Sequence, residues 1–370
     1  MSYPAVSRRR SSLPVLVLCT IGLAVSSPVD AAPPAKPDAQ MQAVLNELKK
    51  LHPRPLPSLS PAQARTEPGA KDASKELLKK RNGGKLPPPE PVGKVEDMTV
   101  PGPAGPLPVR VYTPRVDTPS TDAGTNRSQT GLPVLVFVHG GGWTIGSIAG
   151  YDSSARALCN AARCVVVSVS YRYAPEHPFP ASHEDVYAAF QYIAKNAQRF
   201  GGDPARVAIG GESAGANLSA GVCLMARDRK AKMPVYQLLV YPPLDTRMNT
   251  PAYQTYAHAI PLDKPQMVYF IRSVAPNPKT RSNPYLAPLQ APNLRGLPPA
   301  TILTAQIDPL ADDGKRYAAR LRAAAVPVRF REFPGVTHEF FSMAMVVDKA
   351  KEAVAFGAAG LKTVFDKSAK

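Results

Sequence analysis

From residue 133 onward the chain alternates short, nearly continuous apolar runs with longer stretches in which apolar side chains recur at the helical period. A strand buried on both faces has no polar side to present, so this rhythm predicts a parallel sheet with helical crossovers on either face. The predicted strands are 133–138, 165–171, 207–209, 236–241, 300–304 and 328–333, and the predicted helices are 151–162, 183–199, 214–228, 312–325 and 346–365. Ahead of them, alternation over 94–100 and 107–112 flanks the run Pro101-Gly102-Pro103-Ala104-Gly105-Pro106 and predicts a hairpin. Together these make one mixed, mostly parallel sheet of eight strands flanked by helices. Residues 245–288 break the rhythm: the interval is longer than one crossover requires and holds aromatic residues among several prolines, which makes it a candidate lid.

The flanks have a different character. Residues 32–93 are rich in proline and charge, with amphipathic helices predicted at 39–51 and 73–81 on either side of Pro53, Pro55, Pro57 and Pro61. Such a segment lacks a core of its own, so it drapes over a larger body or stays partly mobile. Residues 114–131 carry almost no apolar side chains and read as a solvent loop. At the start, Arg8-Arg9-Arg10 precedes an apolar run over 13–25 and then small residues up to Ala31 and Ala32, the pattern of a signal peptide cut near that point. The apolar run is too short to span a bilayer comfortably. The expected division is therefore a leader over 1–31, an N-terminal helical segment over 32–93 and a main domain over 94–367, with the mature protein exported to a periplasmic or extracellular space.

Composition changes this picture little. The net charge of +17 comes from scattered basic residues without a basic-aromatic motif, so it describes a solvated surface and argues against a nucleic-acid partner. Loss of the leader removes Cys19 and leaves Cys159, Cys164 and Cys223. The first two are near enough in sequence to bridge in an oxidising compartment, and Cys223 falls in an apolar pattern that buries it. No Cys-x-x-Cys pair or His-Cys cluster points to a metal, and no cofactor is expected.

The chemistry gathers around Gly211-Glu212-Ser213-Ala214-Gly215, which follows an apolar strand and opens a small-residue helix. A serine at such a turn takes a strained backbone, and glycines two positions either side let strand and helix approach. Its hydroxyl needs a base, and the base needs an acid to hold its tautomer and stabilise its positive charge. Downstream histidines are His258, in the irregular interval, and His338, just beyond the strand at 328–333; the second is preferred. For the acid, Asp308 and Asp245 each follow a strand. Asp308 precedes a proline and could simply cap a helix, yet it closes the last strand before His338 and is the better partner. The strand at 133–138 runs into His139-Gly140-Gly141-Gly142-Trp143, where amides unobstructed by a Cβ can turn toward a substrate oxygen. Gly140, Gly141 and Ala214 are the expected oxyanion donors.

Taken in order, His139-Gly140-Gly141-Gly142-Trp143, Tyr171-Arg172-Tyr173-Ala174-Pro175-Glu176-His177-Pro178-Phe179-Pro180-Ala181 with Asp185, Gly211-Glu212-Ser213-Ala214-Gly215, Asp308-Pro309-Leu310-Ala311-Asp312 and His338 resemble the hormone-sensitive lipase family of α/β-hydrolase esterases, over about residues 90–366. The resemblance implies an α/β-hydrolase fold with a helical cap from the N-terminal segment. It also implies a serine carboxylesterase acting on short to medium acyl esters without metal or cofactor, and it often includes homodimers. Three positions depart from the family's pattern: Glu212 stands where Asp is usual, Tyr173 where Leu is common, and Glu339 where Gly follows the histidine. Two other readings use the same residues. One is an amidase or carbamate hydrolase, and the other is a non-catalytic ligand-binding protein on a hydrolase scaffold.

Overall fold

The structure, a computed structural model, describes residues 1–5, 34–115 and 131–366. The expected leader lies almost wholly outside the described residues, as does most of the predicted solvent loop. The chain divides into two units, Met1–Pro33 and Pro34–Lys370, and among the described residues every helix and strand belongs to the second.

In chain order the second unit holds helices α1 (Ala39–Lys50), α2 (Pro61–Ala64) and α3 (Ala70–Arg81), then the hairpin of β1 (Lys94–Gly102) and β2 (Gly105–Thr113). The alternating core comes next as β3 (Leu132–Val138), α4 (Asp152–Ala162), β4 (Val165–Val169), α5 (Ala181–Lys195), β5 (Gly202–Glu212), α6 (Ala214–Asp228) and β6 (Gln237–Val240). It ends with α7 (Pro251–Thr255), α8 (Lys264–Val274), β7 (Ala300–Ile307), α9 (Ala311–Ala323), β8 (Val328–Thr337) and α10 (Asp348–Phe365). The strands form one sheet in the order β1-β2-β4-β3-β5-β6-β7-β8. Only β2 runs antiparallel to its neighbours β1 and β4; the remaining pairs are parallel.

The continuous apolar runs follow from this topology. Along β3, Val134, Val136 and Val138 enter the core on one face, and Leu135 and Phe137 enter the core on the other, so every residue of the strand needs an apolar side chain. The second core also takes in Met41, Val44, Leu45 and Leu48 of α1 and Ala70 and Ala73 of α3. Burial of each larger side chain contributes roughly 1.5–3 kcal/mol, which is how a segment with no core of its own becomes ordered. Its start is fixed as well: the Asp38 side chain caps α1 by accepting from the Met41 amide at 2.9 Å, and the Asp38 amide donates to Gly335 O at 2.8 Å. Gly335 has φ +67 and leaves a Cβ only 3.3 Å from Asp38, so the end of β8 can meet the N-terminal helices this closely.

Several expectations needed correction. The hairpin strands run through the predicted turn and pair Gly102 with Gly105, leaving a two-residue link: Pro101 lies on the edge strand β1, and Pro106 and Pro108 lie in the part of β2 ahead of its pairing with β4. β8 continues through Pro334 to Thr337, four residues past its predicted end, and brings His338 to the sheet edge. Residues 245–288 contain α7 and α8, whose starts are capped by Thr250 and Asp263. Cys159 and Cys164 are separate buried thiols and do not bridge. Cys159 sits on α4 with its Sγ donating to Tyr112 O at 3.5 Å, and its thiol is pushed up to about 12 by burial. Among the described residues no helix is long and apolar enough to cross a membrane.

Candidate active site

The carboxyl ends of β3, β5, β7 and β8 lie along one edge of the sheet, the place where open parallel sheets leave a crevice. β5 delivers Ser213. Its backbone sits at φ 53 and ψ −122, a sparsely populated conformation that turns the chain from strand to helix within one residue. Room for this turn comes from glycine, since a Cβ at Gly215 would meet Val138 O at 2.0 Å and one at Gly211 would meet the same oxygen at 2.4 Å.

β8 delivers His338, whose Nε2 lies 2.9 Å from Ser213 Oγ. β7 delivers Asp308, whose Oδ2 lies 2.6 Å from His338 Nδ1. The other carboxylate oxygen of Asp308 accepts from the Leu310 amide at 2.9 Å and closes a turn ahead of α9; Asp308 does not cap that helix, which starts at Ala311 with Leu310 at the cap position. Ser213, His338 and Asp308 are all buried, with Asp308 fully so.

The rivals lie elsewhere. His258 lines the cavity above the serine. Asp245 is bound by Arg247 at 2.5 Å and Arg316 at 3.5 Å. Burial opposes its ionisation, but the hydrogen bonds from Arg247 outweigh that and hold its carboxyl below the usual range.

Gly141 and Gly142 line the cavity together with Ser213, whereas Gly140 sits one layer deeper. A Cβ there would strike the Tyr151 hydroxyl at 2.4 Å and Glu212 O at 2.9 Å. Gly142 has φ +55 and faces the ring of Phe270 on α8, which a Cβ would meet at 2.2 Å. Ala214 is the first residue of α6, so its amide has no acceptor within the helix.

Beneath this loop His139 is fully buried, stacked on Tyr171 at 4.5 Å with its Nδ1 2.8 Å from Gly140 O. Burial pulls its imidazole down to about 4 and keeps it neutral, a supporting rather than reacting group. Arg172 grips the buried Asp185 through bonds of 2.7 to 3.1 Å and fixes the loop behind the site.

A cavity of about 640 Å³ opens above Ser213. Leu48, Leu56 and Pro68 from the N-terminal segment and Ile260, Met267 and Phe270 from the irregular interval form much of its wall. Both stretches that broke the sheet rhythm therefore cover the same site.

Sequence reading missed four contributors. Gly142 follows the two glycines that were chosen. Tyr241 follows β6 and places its ring 4.5 Å from that of His338 while donating its hydroxyl to Glu212. Arg65, at the end of α2, donates to Thr144 O at 3.0 Å and pairs with Glu176 at 2.6 Å. Lys71 of α3 lies 3.8 Å from Glu339. Only Gly142 carried a signal in its own neighbourhood; the others depend on which distant segment they meet.

The family described as alpha/beta hydrolase fold matches residues 135–342. Carboxylesterase NlhH of Mycobacterium tuberculosis is 41% identical over 282 residues, covering 74% of this chain and 85% of its own. An arylesterase of Saccharolobus solfataricus is 35% identical over 254 residues, covering 68% of this chain and 79% of its own. Among solved structures, an esterase of Pyrobaculum calidifontis superposes with a TM-score of 0.73 at 35% identity, covering 86% of this chain and 96% of that one. A Ser161Ala mutant of LAE6, an α/β hydrolase from the metagenome of Lake Arreo, gives 0.75 at 34% identity over 89% and 98%. With sheet order, strand-end chemistry and relatives in agreement over most of its length, the chain belongs to the hormone-sensitive lipase-like carboxylesterases of the α/β-hydrolase superfamily.

Proposed function

We propose that this protein hydrolyses carboxylic esters through an acyl-enzyme on Ser213, with His338 as base and acid and Asp308 as its orienting partner. The observation that carries the reading is the unbroken hydrogen-bonded line from Asp308 Oδ2 through His338 to Ser213 Oγ, at 2.6 and 2.9 Å.

In the first displacement Ser213 Oγ attacks the ester carbonyl carbon as His338 Nε2 takes its proton. The carbonyl oxygen becomes an oxyanion, received by the amides of Gly141, Gly142 and Ala214. Gly142 takes the place expected of Gly140 because it, not Gly140, borders the cavity. The intermediate collapses when His338 returns the proton to the departing alcohol. Water, deprotonated by the same imidazole, then attacks the acyl carbon, and collapse of the second intermediate restores Ser213 and frees the acid. The mostly apolar cavity suits a short to medium acyl chain.

Ser213→Ala is the direct test. Turnover of p-nitrophenyl butanoate should fall by on the order of 10⁴-fold or more with the fold retained, and covalent labelling by a fluorophosphonate should vanish. Wild-type turnover in this variant overturns the reading. Labelling of the unaltered protein at Ser213 would separate it from a ligand-binding protein on the same scaffold, and matched ester and amide substrates would rank the two bonds. The run of arginines, apolar residues and small residues over 1–31 supports export of the mature chain, tested by N-terminal sequencing of protein recovered from the periplasm or medium.

A further inference from the structure

We propose that Lys71 is a positioning residue of the hydrolytic site, through which the N-terminal helices act on the histidine and serine loops. Lys71 is the second residue of α3, at the positive end of the helix dipole, where a cation is disfavoured by its own helix. Its position is repaid by what it reaches. The ammonium lies 2.8 Å from the centre of the Tyr151 ring and 3.8 Å from Glu339 Oε1. The Lys71 and Glu339 side chains are only 17% and 25% exposed, so their pairing is poorly screened by water.

Each group around the ammonium is one step from a reacting group. Glu339 follows His338 and holds a left-handed backbone, φ 67, that a side chain other than glycine rarely adopts. The Tyr151 hydroxyl packs under Gly140, at the root of the glycine loop. Glu212 precedes Ser213 and is fully buried; one of its oxygens receives the Tyr241 hydroxyl, and the other has no partner at hydrogen-bond length although the Ser154 hydroxyl lies near it. Burial pushes the Glu212 carboxyl up, and the positive charge of Lys71 opposes that shift. Burial likewise pulls the Lys71 ammonium down, and Glu339 and Glu212, with Asp72, oppose it. Lys75 on the same helix is the like charge facing it, and His139 beyond the Tyr151 layer is neutral. Around His338 itself stand Asp308, Tyr241 and Glu339. One cation thus balances two carboxylates set directly beside the nucleophile and the base.

This role rests on the hydrolytic reading, and the two can fail separately. Fluorophosphonate labelling and turnover of the unaltered protein test the reading; their absence would remove both. In a labelling, active protein, Lys71→Met should lower kcat for p-nitrophenyl butanoate by about tenfold with KM changed less than about twofold, since Lys71 itself does not line the cavity. It should also move the acidic limb of kcat/KM upward by about half a pH unit or more, because removing the cation leaves two carboxylates that favour the imidazolium form of the base. Lys71→Arg should restore most of kcat. Lys71→Met combined with Glu339→Gln should bring the limb back toward that of the unaltered enzyme. A wild-type kcat and limb in Lys71→Met, or a double variant displaced as far as the single one, overturns the proposal. If Lys71→Met does not fold, as judged by circular dichroism and Tm, Glu339→Gln alone carries the test: removing an anion beside His338 should lower the limb, and an unmoved limb overturns the role.

Discussion

The floor and the cover of this site are built on different principles. In the floor, Ser213, Asp308 and His338 each stand at the end of a separate strand, and direct hydrogen bonds of 2.6 and 2.9 Å join them. Their geometry is inherited from the register of the sheet, which main-chain bonds fix along its whole length. The cover consists of α1 to α3 and the α7–α8 interval, held by apolar burial and a few cations, with prolines in the connecting turns. A floor set by backbone register serves chemistry that tolerates little displacement, whereas a cover set by side-chain packing can change shape without disturbing that chemistry.

Breaking the floor should have the largest effect. Asp308→Asn leaves the shape but presents the wrong partner to His338 Nδ1, and kcat should fall by on the order of 10⁴-fold with little change in Tm. Gly142→Ala strikes where floor and cover meet. The new methyl group collides with the Phe270 ring and the residue keeps a strained φ of +55, so kcat should drop by on the order of a hundredfold as the loop shifts. Pairing it with Phe270→Leu should recover part of that loss; no recovery would separate the glycine loop from α8.

A change confined to the cover should be milder and of another kind. Phe270→Ala enlarges the cavity, so kcat/KM for long acyl chains should rise relative to short ones by on the order of tenfold in a series of p-nitrophenyl esters, with the Ser213 labelling rate little altered. An unchanged chain-length profile would place selectivity on another wall.

The smallest effect concerns stability below the site. Asp313 of α9 is fully buried and accepts from the Leu244 and Asp245 amides at 2.9 and 3.1 Å, and burial pushes its carboxyl up to about 7, with Asp245 adding to the shift and Arg316 opposing it. A carboxyl that binds its proton more tightly folded than unfolded loses native stability as pH rises between those two values. Asp313→Asn keeps an acceptor without the charge. Its Tm should therefore gain on that of the unaltered protein as pH is raised from about 4 to about 7, and a constant difference would show that Asp313 does not titrate in this window.

How much of this was legible beforehand differs between floor and cover for the same reason. The inner strands β3, β4, β6 and β7 and the apolar part of β5 announced themselves because they are buried on both faces, and the predicted helix at 214–228 coincides with α6. Ser213, Asp308 and His338 could be ordered because each follows a strand, and strand ends in a parallel sheet share an edge. Errors came where local pattern competes with tertiary contact. β5 extends well beyond the three apolar residues that announced it, reaching from Gly202 to Glu212, since Gly202 already pairs with Leu132 of β3 ahead of an irregularity and Gly210 and Gly211 continue the pairing. Which of Gly140, Gly141 and Gly142 face the cavity is not legible in the sequence, because three equal glycines differ only in what they face, and Phe270 lies far away in sequence.

The sequence by itself determined the sheet and the edge at which Ser213, His338 and Asp308 meet, because apolar periodicity and glycine placement are local consequences of backbone geometry. Tertiary structure alone decided that α3 brings Lys71 within 3.8 Å of Glu339, that Arg65 holds the Thr144 carbonyl, and that α8 closes on Gly142. These contacts join segments with no shared period. Their energies come from desolvated charge and close packing, which exist only after the cover has met the floor.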